Sequence, residues 1–191
     1  MTADHNYYHK EMSRQVESSG FDEHNMLIYP DLDTFSETYV DYAKKHLHSN
    51  YNEIVVIVTH YQRIDKVLLN LSDAGIDVDR ERSEGNLVVI DSVASYQADE
   101  SHSHVLNLAK SLVKKAAEEG KGGVCAFGDI GSFFLFDRIL ELMEYEMSIP
   151  PRPGLKLKAF CCYHQGDYGR LSDEEKRTIA ANHFRKIQPQ N

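Results

Sequence analysis

The run Ile54-Val-Val-Ile-Val58 is apolar at every position and lacks the alternation of a strand with one face in water. It fits a strand covered on both faces, which calls for helices above and below the sheet. The pattern occurs five times. MLIY (26–29), IVVIV (54–58), LVVI (87–90), VCAF (124–127) and LKLKAFCCY (155–163) each lead into a polar corner and then a segment of helical period. Leu32 to Leu47 is the first such segment. Val67, Leu68 and Leu71 share a face before Gly75, which suits a helix stop. Val105, Leu108, Ala109, Leu112, Val113 and Ala116 form one helical stripe, and Phe136, Ile139, Leu140, Met143 and Met147 form another. SDEEKRTIAANHF opens with an N-cap and acids, as a helix start should. This alternation predicts an α/β fold with right-handed crossovers and a mainly parallel sheet.

At 191 residues the chain suits one domain with a full core. Residues 1–24 are polar and aperiodic, and are expected to form an arm without order; residues 25–191 are expected to be the domain. A net charge of -9 argues against a nucleic-acid-binding face. No apolar run reaches the ~20 residues of a membrane span, and the first residues have no signal-peptide core. Three cysteines make no disulfide framework, so a reduced, cytoplasmic protein is expected.

Ligands of such sheets sit beyond the carboxyl ends of the strands. The corners there supply the candidate binding residues Tyr29, Asp31, Thr59, His60, Asp91, Asp129, Tyr163, His164 and Asp167. Tyr29, Tyr61, Tyr163 and Tyr168 would give that edge an aromatic rim suited to a small apolar or amphipathic ligand. No phosphate-binding loop is present, and YPDLDTFSE puts Asp31, Asp33 and Glu37 where an anion would be repelled. GDIGSF (128–133) reads as a strand-to-helix turn with Ser132 as its N-cap. Cys161 and Cys162 are adjacent on a strand, so they point to opposite faces and do not share one ion. Cys162, His164 and Asp167 form a conceivable metal set, although a buried free cysteine often packs as a small hydrophobe, and Cys125 occupies a similar strand position. Cys162 with His164 or His60, and Asp129 or Asp91, can be drawn as a nucleophilic site, but there is no nucleophile elbow. His183 reads as a helix-end residue, and His5, His9, His24, His46, His48, His102 and His104 as mostly solvated. No cofactor is expected.

Four blocks, LIYPDLDTF, IVVIVTHYQRIDKVLLNLSDAGIDVDRERSEGNLVVID, GDIGSFFLFDRILELMEYEMSI and AFCCYHQGDYGRLSDEEKRTIAANHF, together resemble the MEDS sensory domain of methanogens and methylotrophs. The resemblance spans about Met26 to Ile187, with Cys161 and Tyr163 matching a Cys-x-Tyr strand and His183 a histidine near the end of the following helix. It implies a three-layer αβα sandwich of RecA/KaiC type without a working phosphate loop. It also implies sensing of small hydrocarbon-derived compounds for a signalling or transcriptional partner. With no kinase, PAS or DNA-binding module in these 191 residues, output is expected to pass through a partner protein or through self-association. The expectation is therefore a non-enzymatic sensing or signalling module whose cysteines are packing residues. The alternatives are a metal- or nucleotide-dependent enzyme and an oligomer whose role is assembly.

Overall fold

The computed structural model describes residues 3–47, 52–96 and 103–189. Six parallel strands form one sheet: β1 (Glu23–Tyr29), β2 (Ile54–Thr59), β3 (Leu87–Asp91), β4 (Val124–Asp129), β5 (Leu157–His164) and β6 (Lys186–Ile187), in the order β3-β2-β4-β5-β1-β6. Ten helices are described: α1 (Ala3–Glu17), α2 (Leu32–His46), α3 (Ile64–Asp73), α4 (Val78–Ser83), α5 (Ser92–Tyr96), α6 (Ser103–Glu118), α7 (Gly131–Leu135), α8 (Ile139–Ser148), α9 (Gln165–Arg170) and α10 (Asp173–Ala181). Among the described residues no helix is long and apolar enough to cross a membrane.

Because alternate strand residues face opposite ways, the sheet divides two cores. On one face Leu27, Tyr29, Val55, Ile57, Phe127, Phe160 and Cys162 pack against α1, α2 and α3. On the other, Met26, Ile28, Val56, Val58, Cys161 and Tyr163 meet Tyr96 of α5, Leu112 of α6, Phe133 and Phe134 of α7, Tyr145 of α8 and Ile179 of α10. This is the three-layer arrangement with a parallel sheet, and it explains why Ile54–Val58 carries no polar residue.

Several expectations are corrected. The supposed N-terminal arm is largely helical, and Met12 and Val16 of α1 are buried against α2 and the sheet. The many polar residues around them hid two core positions at i, i+4. β1 begins at Glu23, two residues before the expected domain boundary. The stripe through Phe136, Leu140 and Met147 points largely outward, with Leu140 81% exposed, while Leu142 and Tyr145 turn inward. The break between α7 and α8 rotates the phase that a single continuous helix would have kept. α7 is capped at Ile130, and Ser132 instead pairs with the Ser92 hydroxyl at 2.8 Å. His24 and His46 are buried, whereas His48 and His102 and the side chain of His5 lie outside the described residues.

The alternation in LKLKA has a specific outcome. Lys158 is buried on the α2 face, with Nζ 3.0 Å from Glu53 Oε1 and 2.8 Å from the Tyr42 hydroxyl. Tyr42 in turn donates to Glu53, and His46 Nδ1 lies 3.2 Å from the same carboxylate. Burial pushes the Glu53 carboxyl up, but its bonds to His46, Tyr42 and Lys158 outweigh that and hold it below its ordinary 4.5.

Candidate functional site

Adjacent strands β2 and β4 send their following helices to opposite faces of the sheet, α3 to one and α7 to the other. This makes a crevice at their carboxyl ends, where such folds hold ligands. Here the chain fills it with a carboxyl group of its own. Asp129 is 1% exposed; its Oδ2 accepts from the backbone N–H groups of His60 (3.2 Å) and Tyr61 (3.3 Å), and its Oδ1 from that of Gly131 (3.0 Å). Burial pushes the Asp129 carboxyl up, against the pull of these donors. The Tyr29 hydroxyl lies 3.5 Å away, and Tyr61 donates its hydroxyl to Asp167. The His164 ring packs against Tyr29 and Tyr61.

Five sequence candidates thus meet, Tyr29, His60, Asp129, His164 and Asp167, while the Thr59 hydroxyl donates to Gln62 O within its own turn. Asp31 and Asp91 are at the same edge but act as caps, accepting from Thr34 N (2.7 Å) and Ala94 N (3.0 Å). The edge is largely bound to itself. Asp129→Asn exchanges an acceptor of three backbone donors for a group that carries donors of its own. It is expected to lower stability by about 1–3 kcal/mol, read from urea unfolding.

Tyr163 does not belong to this rim. It is fully buried on the opposite face from Tyr29 and donates its hydroxyl to Glu146. The metal set Cys162, His164 and Asp167 does not converge either. Cys162 packs in the α2-side core and contacts Phe160 O at 3.3 Å, His164 caps α9, and Asp167 is taken by Tyr61. Cysteine and histidine two apart do share a strand face, but the turn at His164 carries the histidine away from it.

A second, buried group of polar residues lies on the α8 face. His24 from β1, Cys161 from β5, Glu146 from α8 and His183 after α10 place one donor atom each within 4.8 Å of one another. His24 Nε2 is 3.2 Å from Cys161 Sγ and 3.6 Å from Glu146 Oε2, and His183 Nε2 is 3.3 Å from that oxygen. The side chains of His24, Glu146 and His183 are fully buried. Burial pushes the Glu146 carboxyl up, but the charge of the adjacent His183, followed by His24 and the Tyr163 hydroxyl, leaves it lowered overall. Burial and the charge of His183 press His24 down to about 4, so it is neutral. His183 is lowered by burial and raised more strongly by Glu146. Burial, followed by the Glu146 charge, keeps Cys161 a thiol. Sequence reading missed His24 and Glu146, since one sits in a polar leader and the other on a helix that looks amphipathic.

An apolar cavity of about 60 Å³ adjoins this group. Val56, Val58, Leu108, Ala109, Leu112 and Leu157 line it, with His24 and Cys161 on its wall. Gly128 also borders it. A Cβ there would stand 2.5 Å from the Tyr96 hydroxyl, so the glycine is what lets Tyr96 lie over the strand.

No curated protein matches the chain. The family model of the methanogen/methylotroph DcmR sensory domain, MEDS, matches residues 23–184, which run from the start of β1 past His183. The chain therefore belongs to the MEDS family of sensory domains.

Proposed function

We propose that the chain is a non-enzymatic sensing module that takes a small apolar, hydrocarbon-derived ligand into the cavity between the sheet and α6. The observation that carries this reading is the cavity itself: its wall is aliphatic apart from a few groups such as His24, Cys161 and the two tyrosines Tyr96 and Tyr145. A space of about 60 Å³ suits a ligand of only a few heavy atoms. The carboxyl edge supports the non-enzymatic reading, because Asp129 already holds the backbone donors that an anionic substrate would use there. Membership of a sensory family supports a signalling output. The exposed side chains of Leu135, Phe136, Leu140 and Met147 support its passage by contact with a partner protein or a second copy.

Calorimetry with dichloromethane, 2-propanol and xenon tests the reading. At least one is expected to bind saturably, and Ala109→Leu, which fills the cavity from α6, is expected to weaken that binding at least tenfold while the fold persists. Failure of all three to bind, or unchanged binding in Ala109→Leu, contradicts it.

A further inference from the structure

The group beside the cavity is built as a coordination site. Glu146 Oε1 is occupied by the Tyr163 hydroxyl, while Oε2 is buried and has no hydrogen-bond partner. His183 Nδ1 lies 2.7 Å from the Ile179 carbonyl, which fixes the proton on that nitrogen and turns Nε2 inward; Nε2 too is buried without a hydrogen bond. A ligating imidazole is commonly held this way, its other nitrogen donating to a backbone carbonyl. These two atoms lie 3.3 Å apart as a buried ion pair without hydrogen-bond geometry, an incompletely satisfied contact that an ion placed between them would complete.

We propose that His24 Nε2, Cys161 Sγ, His183 Nε2 and Glu146 Oε2 together bind one divalent transition-metal ion of the zinc class. The donor set selects the ion. Two imidazoles and a thiolate suit zinc-class ions, while calcium and magnesium demand oxygen donors. The spacing agrees: bonds of about 2.0–2.3 Å at tetrahedral angles separate neighbouring donors by ~3.3–3.8 Å. The distances of 3.2, 3.3 and 3.6 Å across this group fall at or beside that range before any adjustment. Charge balances as well. A dication would displace the Cys161 proton and the proton shared by His183 and Glu146, leaving two anionic and two neutral donors around it, with no net charge in the core. The site borders the cavity through His24 and Cys161. It stands whether or not the cavity takes a ligand.

The test is refolding of the chelator-treated, reduced chain in the presence of Co²⁺, which avoids any barrier to entry in the folded state. One equivalent is expected to bind, giving a thiolate-to-cobalt charge-transfer band and the intense visible bands of tetrahedral cobalt. Zinc is expected to displace it. Cys161→Ser should abolish the charge-transfer band and Cys162→Ser, one residue away on the other face, should keep it. If Cys161→Ser does not fold, Cys125→Ser/Cys162→Ser leaves Cys161 as the single thiol, and the band must then persist in full. His183→Gln should weaken cobalt binding at least tenfold, with circular dichroism confirming the fold. A folded wild-type chain without the band, a band that survives Cys161→Ser, or its loss from the single-thiol variant overturns the proposal.

Discussion

Lys158→Met is expected to destabilise the chain by about 3–5 kcal/mol, a fall in melting temperature of roughly 6–20 °C for a domain of this size. The methionine replaces the aliphatic stem, so packing is largely kept, but Glu53 is left at 2% exposure without its cation. The Tyr42 hydroxyl and His46 soften the loss and do not replace a fixed charge. Lys158→Met combined with Glu53→Leu should regain a good part of the stability, because the cost lies in the stranded charge rather than in the missing bond. The same carboxylate sets an acid limit. Its folded pKa lies below 4.5, so the unfolded chain takes up the proton first. Its contribution is complete above the unfolded value and disappears as pH falls through the folded one. Urea midpoints measured between pH 7 and pH 3 should drop more steeply for the wild type than for the double variant. Parallel curves would mean that the network contributes nothing.

Glu146→Ala is the second large effect, also about 3–5 kcal/mol in metal-free protein. The substitution removes the acceptor of the Tyr163 hydroxyl and the partner of His183, and opens a void beneath α8. Glu146→Gln should cost less, about 1–3 kcal/mol, because an amide oxygen can still accept from Tyr163. Equal losses for the two variants would mean that the carboxylate charge beside His183, which both remove, dominates, and that neither the void nor the Tyr163 bond matters. Chemical denaturation after chelation reads both.

The difference between these two buried groups explains how much the sequence reveals. Strands covered on both faces leave unbroken apolar runs, so β2 and β3 were legible from local pattern alone, as was the opposite facing of Cys161 and Cys162. The polar corners were legible too, since every strand end must turn, and Asp129, His60 and His164 do meet there. What they do on meeting was not: Asp129 satisfies backbone donors from two loops far apart in sequence. The His24–Cys161 contact spans 137 residues. Only the pairing of β1 with β5 brings the two strands side by side, and strand order is a property of the whole sheet. Of the four, Cys161 and His183 were marked by the family resemblance, while Glu146 looks like any helix-surface acid until α8 is rotated into place. The two-residue β6 and the short helices α4, α5, α7 and α9 fall below the length at which periodicity carries a signal.

The central claim is that sensing occurs in the apolar cavity and not at the carboxyl edge. Methyl-resolved NMR during titration with dichloromethane tests it most directly. The account predicts saturable shifts of the Val56, Val58, Leu108, Leu112 and Leu157 methyls, which line the cavity, with Val67 and Leu71 across the sheet unmoved. Shifts confined to residues beside Asp129 and His164, or no saturable shift in a folded chain, would contradict it.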